Sequence, residues 1–268
     1  MILDINTVML FLALGAFAGF AAGLFGIGGG GLMVPVFTAI FLSNGISNEH
    51  VMHMALGTSM MSIVATSFSS FRAHDKKKGV QWDIFRKMGI GVVLGTFSAT
   101  FISSYLSSFY LAIFFTIFMS IAALRMLLNI KPKANAKHPS TLNLFGAGTV
   151  IGAISAMMSV GGGAFTVPYL VAHNIPIKKA IGTSAAIGFP IAISGTIGFI
   201  INGWMITSLS SWQLGYVYLP AVIIISCASY FTVPLGVRTA HALQSDRLKK
   251  LFSLLLVGLS IKMLISVL

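Results

Sequence analysis

Charge is scarce in this chain of 268 residues. Only 8% of its residues are charged and 56% are hydrophobic, whereas about a quarter of a soluble domain is charged. A surface with so few charges is solvated by lipid rather than by water. The composition therefore predicts an all-α polytopic membrane protein, because closed helices satisfy their own backbone hydrogen bonds in lipid.

Acidic residues are the scarcest charges, with five in the chain against 17 lysines and arginines. All of them fall in the N-terminal segment or in predicted loops: Asp4, Glu49, Asp75, Asp83 and Asp246. A cation transporter or a carboxylate proton relay normally places an acid inside the membrane. The distribution therefore favours a neutral or positive site and a small anionic substrate, with a proton or a carbonyl-bound sodium ion left open as the coupling ion.

Other absences narrow the function further. The single cysteine, Cys227, excludes an intramolecular disulfide and a thiolate metal cluster. The sequence has no Ser/His/Asp set, no paired carboxylates and no pair of histidines at metal-ligand spacing on one helix. We therefore predict that the protein is not an enzyme and holds no metal or cofactor. The net charge of +12 resides in short runs between apolar stretches, which is typical of cytoplasmic loops rather than of nucleic-acid binding.

Six apolar stretches have the length of about 20 residues that a helix needs to cross a bilayer. They are residues 51–71, 88–105, 109–129, 181–201, 216–237 and 251–268. Two longer stretches, 5–42 and 141–173, are interrupted by glycine runs. Each of these is predicted to form a helical hairpin, either re-entrant or crossing the membrane twice.

The chain is internally duplicated. Two motifs occur twice in the same order: Gly26–Phe37 recurs as Ser159–Leu170, and Ala55–Met61 recurs as Ala180–Ala186. We predict two repeats, residues 1–138 and 139–268, each a glycine-broken hairpin followed by three transmembrane helices. A basic linker, residues 131–138, separates them.

The basic clusters predict the topology. They lie at residues 72–87, 125–137, 178–179 and 238–250. All four face the cytoplasm only if each hairpin returns to its own side of the membrane. The two halves are then inverted about the membrane plane, with both termini outside, in the inner membrane of a prokaryotic cell. Inverted repeats with broken helices are typical of alternating-access transporters.

The glycine runs are the first candidate site. Each run is predicted to begin a half-helix, with Pro35 and Pro168 in its first turn, where N–H groups lack intrahelical partners anyway. Free N–H groups and the positive end of the helix dipole favour an anion. The candidate substrate-binding residues are Gly28, Gly29, Gly30, Gly31, Gly161, Gly162 and Gly163.

Close helix packing is the alternative explanation for glycine in a membrane helix. We assign it to the glycines spaced four residues apart: Gly15, Gly19, Gly23, Gly148 and Gly152.

Hydroxyl and imidazole side chains complete the candidates. Thr58 and Ser59, and their repeat equivalents Thr183 and Ser184, could donate hydrogen bonds to an oxyanion, or could bond back to the preceding helical turn. His53 and His173 lie near the predicted external and internal mouths. They could couple protons to transport or simply be interfacial.

Together these motifs resemble the TauE/SafE family of sulfite and organosulfonate exporters. The resemblance rests on Gly-Ile-Gly-Gly-Gly with Val-Pro, the repeated Gly-Thr-Ser and the segment Phe71–Trp82, and it covers about residues 12–264. It implies export of sulfite or a related sulfonate through the glycine runs and the Thr-Ser pairs. Gly31 pairs with Ala164 and Gly26 with Ser159, so we expect the two glycine runs to bind unequally.

Three other readings stay open beside the exporter. An anion channel could use the same electrostatics, and a transporter of another small anion or ion could use the same fold. An assembly subunit without its own ligand is the third. The exact substrate, the direction of transport and the oligomeric state do not follow from the sequence.

Overall fold

The computed structural model describes residues 4–127, 139–206 and 212–242, and the single positions 257, 258, 261 and 265. Within these ranges the elements are α1 Ile5–Phe25, α2 Gly30–Ser43, α3 Val51–Asp75, α4 Trp82–Tyr105, α5 Ser108–Leu127, α6 Thr141–Met158, α7 Gly163–Ala172, α8 Ile177–Gly203, β1 Gln213–Leu214, β2 Val217–Tyr218 and α9 Leu219–Ala242. The two strands form an antiparallel hairpin with Gln213 opposite Tyr218.

The predicted all-α polytopic fold is confirmed. In the part of the chain that the structure describes, six helices are long and apolar enough to cross a membrane: α1, α3, α4, α6, α8 and α9. Each predicted hairpin consists of one such helix followed by a short one, since α2 has 14 residues and α7 has 10, fewer than the roughly 20 that a span needs. The predicted span 251–268 and the linker 131–138 lie outside the described ranges.

Helices α4 and α9 begin at other residues than the apolar stretches that predict them. Helix α4 begins at Trp82 rather than at residue 88, because its first turns carry interfacial charges that hydropathy does not count. There Asp83 suits the positive end of the helix dipole and pairs with Lys87 at 2.7 Å. Helix α9 begins at Leu219 rather than at residue 216, because the preceding residues form strand β2.

The position of the two prolines also differs from expectation. Pro35 and Pro168 lie inside α2 and α7, at the sixth residue rather than in the first turn. The helices start directly at Gly30 and Gly163, because glycine adopts helical angles as readily as the left-handed angles that precede them. A proline at this position removes the hydrogen bond to the carbonyl four residues earlier.

Glycines at four-residue spacing pack helices together, as predicted. A Cβ on Gly15 would lie 2.8 Å from the Cα of Ile225, so that α1 packs closely along α9. A Cβ on Gly148 would lie 2.6 Å from the carbonyl oxygen of Met88, and α6 packs along α4 in the same way.

The predicted duplication relates the helix pairs to one another, and it stays a prediction. Under the repeat α1 corresponds to α6 and α4 to α9. The packed pair α1–α9 is therefore the repeat equivalent of the packed pair α6–α4. The equivalent helices α3 and α8 pack together and run antiparallel, because Gly57 approaches Phe199 while Gly195 approaches Met60. The repeat boundaries themselves stay a prediction.

Candidate substrate site between the hairpin tips

The turns of the two hairpins share a left-handed backbone. We call residues 26–29 the first tip and residues 159–162 the second tip. Gly29 has φ of 82° and Gly162 has φ of 78°, and each is the N-cap of the following short helix without a side-chain cap. Such angles favour glycine, which explains why a glycine run breaks each hairpin.

The two tips are in direct contact. The N–H of Gly161 donates to the carbonyl of Ile27 at 3.0 Å, and a Cβ on Gly28 would lie 3.0 Å from the Cα of Gly161. A Cβ on Gly30 would fall onto the carbonyl oxygen of Ser159, and one on Gly163 onto that of Gly26. The glycine runs therefore allow two backbones to meet, in addition to allowing the turns.

The tips lie at half the height of α3 and α8. Ile63, the middle residue of α3, would be 2.9 Å from a Cβ on Gly28. Gly188 lies near the middle of α8, and a Cβ on it would lie 2.6 Å from the carbonyl oxygen of Gly161. Helices α2 and α7 thus begin at the centre of the bundle.

The two threonines of the Gly-Thr-Ser motifs face connecting segments rather than the tips. Thr58 Oγ1 accepts the N–H of Tyr218 at 3.0 Å, and Thr183 Oγ1 accepts the N–H of Gln81 at 2.9 Å. We call the segment before α4, residues 76–81, the first cap, and the segment before α9, residues 212–218, the second cap. Thr58 therefore holds the second cap at the start of α9, and Thr183 holds the first cap at the start of α4.

The glycine before each threonine lets its cap approach. A Cβ on Gly57 would lie 2.6 Å from the carbonyl oxygen of Tyr216, and one on Gly182 would lie 2.5 Å from that of Gly79. Close backbone contact and the threonine hydrogen bond together account for the Gly-Thr part of both motifs.

The serines of the same motifs lie nearer the tips. Ser184 Oγ donates to the carbonyl of Gly26 in the first tip, with a long distance of 3.4 Å. Ser59 Oγ is buried and has no hydrogen-bond partner among the described residues. Thr66, which sequence reasoning missed, donates to the carbonyl of Gly28 at 3.0 Å. The available signal was its position three residues beyond Ile63 on α3.

The two candidate coupling histidines lie away from the tips. His53 is ten residues before Ile63 on α3, about 15 Å along the axis. Its Nε2 lies 2.9 Å from the carbonyl oxygen of Ser103, and its ring stacks on Tyr216 of the second cap. His173 follows the far end of α7, with Nδ1 2.8 Å from the carbonyl oxygen of Tyr169. Burial raises the pKa of Tyr216, so its hydroxyl stays neutral beside His53.

The buried interior carries little charge. Within the described ranges its polar side chains are hydroxyls and two histidines, with no Asp, Glu, Lys or Arg among them. Nor do the described residues include any group of three side chains able to hold a metal ion. An anion at the tips would meet no buried carboxylate from this part of the chain.

Two clefts lie on the sides of the bundle. One of about 480 Å³ is lined mostly by apolar residues of α3, α8 and α9, with Thr196 and Ser226 among them. Another of about 390 Å³ lies along α4 beside Pro190. Neither includes a residue of either tip, because the tips are packed against each other in this conformation.

Membrane-length helices around two apposed half-helix starts define a multi-pass membrane transporter, and comparison with known proteins agrees. The chain belongs to the family described as sulfite exporter TauE/SafE, which matches residues 11–263. This confirms the resemblance drawn from the motifs.

Three relatives carry the name of probable membrane transporter protein. One from Haemophilus influenzae is 37% identical over 257 residues, covering 96% of this chain and 97% of the relative. One from Methanocaldococcus jannaschii is 27% identical over 262 residues, covering 96% and 95%. One from Bacillus subtilis, YdhB, is 27% identical over 196 residues, covering 70% and 76%. No solved structure matches the chain.

Proposed function

We propose that this transporter is a secondary exporter of a small anion, sulfite or an organosulfonate, that works by alternating access. The observation that carries the proposal is the meeting of two half-helix N-termini at the centre of the bundle. A helix N-terminus presents free N–H groups and a partial positive charge, and here two of them converge.

The hydrogen-bonding state of the tips supports an anion. In the first turn of α2 the N–H groups of Leu32 and Met33 bond to Gly29. Those of Gly30 and Gly31 have no backbone acceptor among the described residues. The same holds in α7 for Gly163 and Ala164, where Phe165 is the first residue to bond to Gly162. Four donors are therefore available at the tips, and sulfur oxyanions offer several oxygen acceptors to match them.

The packing supports alternating access. The equivalent helices α3 and α8 run antiparallel, as inverted repeats require, and each cap is held by a threonine of the opposite repeat. Breaking one cap contact and keeping the other would open the tips to one side only. The basic clusters put the first cap in the cytoplasm and the second outside, with both termini outside the inner membrane.

The membrane potential bears on the proposed direction, and two kinds of ion are candidates for coupling. A negative-inside potential helps an anion to leave the cell, so export needs less driving force than import. A proton moved through His53 or His173, or a sodium ion bound by backbone carbonyls, would couple transport to a gradient. An anion channel is the second candidate, since the same tips would also stabilise an anion in a pore.

Counterflow in proteoliposomes tests the proposal. Wild-type protein preloaded with unlabelled sulfite should accumulate labelled sulfite. Gly29→Ala and Gly162→Ala should abolish this flux while the protein still inserts. A Cβ on Gly29 would lie 2.9 Å from the carbonyl oxygen of Ala18, and the left-handed backbone adds about 1–2 kcal/mol of strain.

Gly45 supplies the matched control. It has φ of 81°, yet a Cβ there would meet no atom within 4 Å. Gly45→Ala therefore carries the same backbone strain outside the tips and should transport normally. Unitary currents without counterflow would establish the channel instead, and the absence of any sulfite or sulfonate flux would refute the substrate class.

A further inference from the structure

Five buried hydroxyls have no hydrogen-bond partner among the described residues, and besides Thr96 on α4 and Thr196 on α8 three of them belong to helices that meet the tips. These are Ser59 on α3, Ser155 on α6 and Thr166 on α7, and all three side chains are fully buried. Leaving a buried hydroxyl unpaired is costly, and native proteins seldom do so without a reason. If the three hydroxyls surround one site, a ligand that accepts their hydrogen bonds explains why the protein leaves them unpaired.

Two of the three flank the second tip directly. The N–H of Thr166 donates to the carbonyl of Gly162 at 2.7 Å. Its Oγ1 lies 3.3 Å from the Cβ position of that glycine. Ser155 is in the last turn of α6, and its carbonyl accepts the N–H of Val160 at 3.1 Å. Both hydroxyls therefore belong to the two helices that the second tip joins.

Ser59 faces the tips from α3. Residues three and four positions apart share a helix face, and Ser59 lies between Leu56 and Ile63. The carbonyl of Leu56 accepts a hydrogen bond from Ser159 Oγ of the second tip at 2.7 Å. Ile63 touches Gly28 at the point where the tips meet. The hydroxyl of Ser59 is thus carried on the face of α3 that covers the tips.

The first tip has no such set. Under the repeat Ser155 corresponds to Ala22 and Thr166 to Met33, and both of these are fully buried apolar side chains. Ser184, the equivalent of Ser59, already donates to the carbonyl of Gly26. Among the described residues, the unpaired hydroxyls of Ser155 and Thr166 therefore lie beside the second tip and have no counterpart beside the first.

We propose that the substrate oxyanion binds at the N-terminus of α7, through the N–H groups of Gly163 and Ala164 and the hydroxyls of Thr166, Ser155 and Ser59. The first tip is its packing partner and carries no equivalent hydroxyls. The ligand is a small anion with several oxygen acceptors, because every free group here can donate a hydrogen bond and the helix end disfavours a cation. This inference rests on the proposed function and narrows it to one tip. The tips must part before the ligand can enter.

Isosteric substitution of Thr166 tests this site. Thr166→Val removes the hydroxyl and keeps the shape, and Thr166→Ser keeps the hydroxyl. The matched control is Thr38→Val on α2, where a fully buried threonine already donates to Val34 at 2.9 Å. The readouts are the Kd for sulfite of the purified full-length protein and the KM of sulfite counterflow. A hydrogen bond to a charged ligand contributes enough that its loss should raise both about tenfold or more.

The outcomes separate the two proposals. A raised Kd and KM in Thr166→Val, with near wild-type values in Thr166→Ser and Thr38→Val, supports the site. Wild-type counterflow with unchanged KM in Thr166→Val overturns the one-tip site and leaves the exporter intact. If wild-type protein neither binds nor transports sulfite or a sulfonate, both proposals fail. Should Thr166→Val not fold, Ser155→Ala takes its place in the same comparison.

Discussion

The first and second tips share a backbone but differ in the side chains around them. Gly29 and Gly162 have nearly the same left-handed φ, 82° and 78°. Each tip accepts the closest approach of a glycine from the other hairpin. Around the second tip, however, Ser155 and Thr166 have buried hydroxyls where the first tip has Ala22 and Met33. The left-handed glycines at both tips allow the two backbones to meet. The hydroxyls beside the second tip are the side chains that we propose bind the substrate.

A second difference lies within the turns. Ser159 occupies a left-handed position with φ of 46° and uses its hydroxyl to bond to Leu56. Gly26 holds the equivalent position with φ of 68° and no side chain. A Cβ there would lie 2.9 Å from the carbonyl oxygen of Ile181. The second tip is therefore anchored to α3 by its own side chain, whereas the first is held through its carbonyls by Thr66 of α3 and Ser184 of α8.

The largest expected effect breaks the contact that the tips share. Gly30→Ala and Gly163→Ala each place a methyl group on a carbonyl oxygen of the other tip. We expect each to lower the free energy of unfolding by about 3 kcal/mol, as overpacking of a core does. Thermal unfolding of purified protein in detergent measures this.

Gly31→Ala is the control for that pair. The equivalent residue in the second half is already Ala164, so its effect should stay within about 0.5 kcal/mol. Equal losses of unfolding free energy in Gly30→Ala and Gly163→Ala would support an equal contribution of both tips to the contact. A tolerated Gly163→Ala would contradict the close contact.

The next effect compares the two candidate coupling histidines. His53→Ala removes one of two hydrogen bonds to the carbonyl of Ser103, which keeps the N–H of Leu106 at 3.1 Å. It also removes a buried ring that stacks on Tyr216. We expect a loss of about 2 kcal/mol. His173→Ala breaks a bond to its own helix at a half-buried position, so the loss should be under about 1 kcal/mol. Denaturant unfolding of both variants checks the order, and the reverse order would contradict the placement of His53.

The smallest effect compares the two caps. Thr58→Val and Thr183→Val each remove the acceptor for one cap N–H. Each should cost about 1 kcal/mol, and each should favour opening at a different end of the bundle. Labelling of single cysteines placed in the two caps, in a Cys227→Ser background, reports the opening. If both variants opened the same cap, the assignment of one threonine to each gate would be wrong.

Local sequence patterns predicted most of the architecture. Apolar length placed α3, α5 and α8 to within a few residues, and the glycine runs placed both turns. Local sequence patterns could not predict which groups the two threonines contact. Thr58 meets a backbone 160 residues away and Thr183 one 102 residues away, and no local pattern predicts such partners. Hydropathy likewise missed the start of α4, where an interfacial turn carries charge.

The sequence by itself determined a membrane-embedded helical chain with two glycine-broken hairpins and no buried acid in its predicted spans. These follow from composition, segment length and backbone freedom, which are properties of single residues and their close neighbours. Only the tertiary structure decided that the tips touch and that the threonines hold the caps. It also decided that, among the described residues, the unpaired hydroxyls of Ser155 and Thr166 lie beside the second tip. Whether a buried hydroxyl is satisfied depends on atoms from distant helices, and only the packed fold brings those atoms within hydrogen-bonding distance.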